Sequence, residues 1–220
     1  FVKPKLVVVG TTHEEIGKTT VDDLYNVILE IGPKVIFEEI PVNLFKKIYE
    51  SNELPKTIEV KAVQRYSHSH NVDHFPIDLN NLGTISGNLG LGTIDGEISA
   101  YIKAANQKSI NELNARLGYI DSMGHKEINT KDHYLLYRKV RMITENYLRK
   151  TNRELFLRNE MQNQFHYGIR ENNMVIEIGK NIEKYNKSLL LIGYYHLETV
   201  IAKLKTEYKN ISIIMYKRAT

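Results

Sequence analysis

The 220-residue chain has no cysteine. That excludes disulfides, thiolate metal sites, iron–sulfur clusters and a cysteine nucleophile, and it suits a reducing compartment, the cytoplasm first. No apolar stretch approaches the roughly 20 residues needed to cross a bilayer. The chain opens Phe1-Val2-Lys3-Pro4, with neither an initiator Met nor a signal-like apolar segment, a start that leaves room for a trimmed signal or anchor. Lys and Arg are spread along the sequence, and no run of them reads as a nucleic-acid arm. Low-complexity tracts and internal repeats are lacking too. What is there is ordinary: 42% hydrophobic and 25% charged residues, enough for one substantial core or for one core with a helical insertion. The formal net charge of +4 is a weak pull toward an anionic partner.

The pattern is that of an α/β domain with a mainly parallel sheet flanked by helices. Residues 5–9 form a β-branched run suited to a strand buried on both faces. Thr19-Thr20 then caps a helix whose apolar positions are Val21, Leu24, Val27, Ile28 and Ile31, and Gly32-Pro33 stops it. Val35-Ile36-Phe37 is a second strand ending at Glu38-Glu39-Ile40-Pro41. Short helices are expected over Val42–Tyr49 and 58–70, then a third strand, His74–Asp78, whose Pro76 favours an edge. Glycines punctuate residues 83–96, which read as a loop and match neither nucleotide-binding fingerprint. Residues 97–118 and 131–165 show helical spacing. The α/β pattern returns with a helix at 168–185, a strand at 188–192, a helix at 196–206 and a last strand at 211–216. One domain spanning 1–220 follows, with a mainly helical insertion at about 80–165 over the carboxyl ends of the strands.

Two strand ends are alike. Leu6-Val7-Val8-Val9-Gly10-Thr11-Thr12-His13 and Leu189-Leu190-Leu191-Ile192-Gly193-Tyr194-Tyr195-His196 both end in Gly-x-x-His. Ligands of open parallel sheets sit outside the carboxyl ends of the strands, so both imidazoles are expected at one edge. Glu39 and Asp78 end two other strands there. Glu38 and Glu39 point to opposite faces, and counting from Val35 and Phe37 selects Glu39. Taken singly, each residue has a plain structural reading: a His past a strand can cap a helix, Asp78 can be an N-cap, and Arg170, in Arg170-Glu171-Asn172-Asn173-Met174, can form an interdomain salt bridge. His68 and His70 are two apart, face away from each other on a helix, and read as a solvated terminus rather than a ligand set.

These pieces, in this order, resemble the TraB/TIKI superfamily, a group that also takes in erythromycin-esterase-like and ChaN-like proteins. They are Gly10-Thr11-Thr12-His13, Pro33-Lys34-Val35-Ile36-Phe37-Glu38-Glu39, the Arg170-Glu171 helix segment and Gly193-Tyr194-Tyr195-His196. The usual Arg-Asp stands here as Arg170-Glu171. The resemblance covers the α/β portions and not residues 80–165. It implies a hydrolase-like pocket. Within the superfamily, TIKI proteins look like metal-dependent proteases, the esterase-like members use a histidine, and ChaN-like members bind haem.

Hydrolysis of an amide (peptide) or ester bond is therefore the expectation, in one of two forms. In the first, His13, His196 and Glu39 ligate one divalent ion (Zn, Mn, Co or Fe) that activates water, and Arg170 stabilises the oxyanion. In the second, His13 is a general base on water, oriented by Glu39, and His196 assists the leaving group or the oxyanion. Asp78, Glu171 and Tyr195 are the candidate substrate-contacting residues of a small-molecule or peptide substrate. The alternatives are a small-ligand or haem carrier using the same pocket and an interaction protein with an anionic partner. Nothing in the sequence sets the oligomeric state.

Overall fold

The computed structural model describes residues 3–51, 54, 56–80, 108–150 and 154–216. The chain alternates strand and helix: β1 (Lys5–Thr11), α1 (Val21–Ile31), β2 (Val35–Pro41), α2 (Val42–Glu50), α3 (Ile58–Ser69) and β3 (Asp73–Asp78). Four helices follow, α4 (Lys108–Asp121), α5 (His125–Ile128), α6 (Lys131–Lys150) and α7 (Glu154–Gly179). β4 (Lys187–Gly193), α8 (Leu197–Glu207) and β5 (Ser212–Met215) close it. The glycine-punctuated stretch 83–96 lies outside the described residues.

Local chemistry accounts for the boundaries. Thr20 is extended (φ −128°), and its side chain accepts a hydrogen bond from the Asp23 N–H, satisfying an orphan donor of α1. Gly32 ends that helix in the left-handed region (φ 58°), where a side chain is disfavoured. Its N–H reaches Ile28 O at 2.8 Å.

All strands are parallel, in the order β3-β2-β4-β1-β5. β1 and β4 are central and buried on both faces, as their uninterrupted apolar runs require. β3 is an edge, so Pro76 withholds no donor from an interior ladder. One face, built from Leu6, Val8, Val35, Phe37, Leu190 and Ile192, is covered by Met174, Val175 and Ile178 of α7 and by Leu197, Val200 and Leu204 of α8. The other, with Val7, Val9, Ile36, Leu189 and Leu191, is covered by Leu24, Val27 and Ile28 of α1 and by Ile58, Ala62 and Val63 of α3. The helices after β1 and β2 thus lie on one face and the helix after β4 on the other. The sheet switches direction on both sides of β4, and such a switch opens a crevice at the strand ends.

α7 is one helix of 26 residues, where the sequence suggested a start at 168 and an end at 185. Gly168 does not break it, because an interior glycine costs a helix only ~1 kcal/mol. Arg170 therefore projects from the body of a long helix, and the chain after Gly179 makes a separate 3-10 turn, Ile182–Lys184.

The insertion is fastened to the sheet by polar side chains. Asn129 accepts from Gly10 N at 2.6 Å and donates to Gly10 O at 3.0 Å, capping the end of β1. His125 is wholly buried and pairs with Asp23 of α1 at 2.8 Å. His133 pairs with Asp121 at 2.8 Å, joining α6 to α4.

Candidate active site

β2 carries Glu39 to the same face as Val35 and Phe37, the face covered by α7. There the buried carboxylate is held from two sides. Oε1 accepts from Arg170 Nη2 at 2.5 Å and Oε2 from the backbone N–H of Gly193 at 2.6 Å. Arg170 also forms a two-point bridge to Asp78, Nε to Oδ1 at 3.1 Å and Nη2 to Oδ2 at 2.7 Å. Burial opposes the guanidinium charge, but Asp78 and Glu39 more than offset it and raise its pKa. One arginine on α7 thus locks the ends of β2 and β3.

The two histidines flank that carboxylate. His13 Nε2 stands 3.9 Å from Glu39 Oε2, and His196 Nε2 stands 3.6 Å from Glu39 Oε1. Each ring has its other nitrogen on a second carboxylate: His13 Nδ1 on Glu59 Oε1 at 2.7 Å, His196 Nδ1 on Glu171 Oε1 at 3.0 Å. Lys203 Nζ approaches the other oxygen of Glu171 at 3.4 Å, and Tyr167 meets the His196 ring edge-on. The result is two histidine–carboxylate dyads facing each other across Glu39. They differ in access. The His13 side chain is 43% exposed and that of His196 only 4%, so His13 is the imidazole open to solvent.

The His13–Glu59 dyad is an ion pair. Burial works against the imidazolium, but the hydrogen bond and charge of Glu59, joined by the charge of Glu39, outweigh it and raise the His13 pKa from 6.5 to about 9, with Arg170 pulling the other way. Burial likewise works against the Glu59 carboxylate, yet His13, with Thr11 and Thr57, lowers it to about 2. Thr11 Oγ1 donates to Glu59 Oε1. His13 itself has φ 65°, the one non-glycine residue at positive φ among the described residues. A backbone held in that region costs free energy and recurs at ligand sites.

The glycine of each Gly-x-x-His serves close approach, not a turn, since neither has positive φ. A Cβ on Gly193 would lie 2.8 Å from His13 Nε2 and 3.1 Å from Glu39 Oε2. One on Gly10 would lie 2.6 Å from Leu197 Cδ1.

His13, Glu39, Arg170 and His196 thus meet at one edge. Asp78 and Glu171 are also there, buried beneath the others and engaged in holding Arg170 and His196. Tyr195 is on the surface, 54% exposed. The residue that sequence reasoning missed is Glu59, which takes the orienting place expected of Glu39. It is the second residue of α3, where an acidic side chain is routine because it complements the helix dipole. No sequence signal separates it from a solvated one. His68 and His70 are exposed and bond carbonyls of their own helix, Gln64 O at 2.9 Å and Tyr66 O at 3.2 Å.

The histidines have the outer carboxylates that metal-ligating histidines use, but Glu39 does not fit as the third ligand. Its two oxygens are taken by Arg170 and Gly193, and a dication there would sit against the fixed guanidinium. A ligand histidine must also be neutral, whereas Glu59 favours the protonated form of His13. Among the described residues, no group of three or more His, Asp and Glu side chains is placed to hold a metal ion. Nor is any helix among them long and apolar enough to cross a membrane. Comparison with models of known families, with curated proteins and with solved structures finds no match to this chain.

Proposed function

We propose that this crevice hydrolyses an ester or amide bond with His13 as its general acid–base, a site of the kind implied by the TraB/TIKI resemblance. One observation carries the reading: an accessible imidazole, backed by a buried carboxylate, stands at a topological switch point opposite a second buried imidazole.

The neutral form of His13 takes a proton from water through Nε2 as that water attacks the carbonyl carbon. The imidazolium then returns the proton to the leaving oxygen or nitrogen. Glu59 fixes Nδ1 as the donor and stabilises the imidazolium as it forms, the part a buried carboxylate plays behind a catalytic histidine. Glu39, clamped by Arg170 and Gly193, gives Nε2 a second negative neighbour and holds the rings apart. Arg170 is a positioning residue here, its Nε and Nη2 engaged by Asp78 and Glu39. His196, buried on Glu171, lies on the far side of Glu39 from His13, with its Nε2 3.6 Å from Glu39 Oε1.

A base whose pKa lies near 9 is scarce at neutral pH but strong when free. The rate should therefore rise with pH and level off above about 9. A pH–rate profile on p-nitrophenyl esters and chromogenic anilides tests this. A rising limb in the wild type, moved to lower pH by Glu59→Gln, supports the assignment. A pH-independent rate, or no turnover on either panel, sinks it.

A further inference from the structure

A groove of about 500 Å³ runs between α6 and the segment Tyr194–Thr199, a volume in the range of small-ligand sites, roughly 300–1,000 Å³. Its walls leave three large apolar side chains in water: Leu135, Met142 and Tyr195. Its tyrosines are already ordered. Tyr194 and Tyr195 stack with centroids 4.3 Å apart, and Tyr137 meets both edge-on, at 5.2 and 5.0 Å. That buttress keeps Tyr195 from collapsing onto the groove floor and leaves its exposed ring available for stacking.

Charge narrows what fits. Arg138 faces Glu198 at 3.6 Å and Arg141 faces Glu145 at 3.5 Å, so these cations are matched. Lys139 also lines the groove and has no carboxylate partner among the described residues. Three cations against two carboxylates leave one net positive charge. We propose that the groove is a subsite for a flat aromatic group bearing a single negative charge, stacked on Tyr195 and met by Lys139. Tyr195 directly precedes His196 on the same turn. If the hydrolytic reading above holds, the inference names its substrate class: aryl esters or amides with one anionic substituent.

Calorimetric titration of the full chain with 2-naphthoate, and with its neutral isostere 2-naphthamide, tests this. Naphthoate should saturate at one site per chain and bind roughly threefold or more tighter than the amide, the size of one half-screened charge contact. Tyr195→Ala should weaken both by roughly fivefold, and Lys139→Glu should weaken naphthoate alone. His13→Gln should leave all of these affinities in place, so the subsite can stand in a protein that turns over no ester, or fail in one that does. Non-saturable binding, equal affinity for the two compounds, or a Tyr195→Ala protein that folds and binds as the wild type overturns the proposal.

Discussion

Replacing Glu59 by Gln keeps the shape of the side chain and removes its charge, which makes it the sharpest probe of the His13 dyad. Glu59 is buried, and its Oε1 lies 2.7 Å from His13 Nδ1. It supplies both the hydrogen bond and the largest charge that raise the His13 pKa from 6.5 to about 9. Without that charge the burial cost is left with only Glu39 and Arg170 to act on it, and these oppose each other. The His13 pKa in Glu59→Gln should therefore fall to 6.5 or below. The assay is a proton NMR titration of the His13 Cε1–H in both proteins. Stability should follow the same pair. A raised histidine pKa contributes fully below 6.5 and is lost as pH climbs through about 9; a lowered carboxylate pKa contributes fully above 4.5 and is lost as pH falls through about 2. The wild type should thus exceed Glu59→Gln most between pH 4.5 and 6.5. Because His13 is 43% exposed, screening holds the difference to about 1–2 kcal/mol in urea titrations. A wild-type His13 that titrates near 6.5, or a midpoint unchanged in Glu59→Gln, would refute the electrostatic argument.

Three further outcomes are expected. Arg170→Leu strands the buried Asp78 without a counter-charge and leaves Glu39 only the more distant His13, and should cost about 3–5 kcal/mol in chemical denaturation; a loss below about 1 kcal/mol would mean that the clamp is not made. Gly193→Ala puts a methyl 2.8 Å from His13 Nε2, so turnover should drop at least tenfold with a stability change of about 1–2 kcal/mol, and wild-type turnover would show that the ring is not there. Protein purified without chelator should carry well under one equivalent of zinc, manganese, cobalt or iron by elemental analysis, and EDTA should leave turnover unchanged. A stoichiometric, activity-linked metal would mean that Glu39 releases Arg170 to ligate it.

Much of this edge was legible in sequence because strand alternation is a strict rule. Counting from Val35 and Phe37 put Glu39, rather than Glu38, on the α7 face. Glu38 is indeed on the other face, buried against Tyr49 and, at 2.8 Å, His74. The paired Gly-x-x-His ends landed together because β1 and β4 are neighbours in register, Gly10 beside Ile192 and Thr11 beside Gly193. That adjacency was not readable: β4 inserts between β1 and β2, a choice made by the packing of distant helices. Arg170 stands out in the segment Arg170-Glu171-Asn172-Asn173-Met174, but its reach across α7 to two strand ends is tertiary. Glu59 was invisible for a related reason. An acidic residue in the first turn of a helix carries the same local signature whether it faces water or a histidine, and here only the fold brings His13 to it.

The central claim is that His13 performs proton transfer at this edge. The direct measurement is kcat/KM for an activated aryl ester in the wild type against His13→Gln. Proton transfer by a positioned side chain is worth about 10²–10⁴-fold. The variant should lose at least 10²-fold in rate but only the roughly 1–2 kcal/mol of the His13–Glu59 pair in stability, so that it stays folded and melts several degrees lower. A His13→Gln protein that hydrolyses the ester at the wild-type rate would contradict the account.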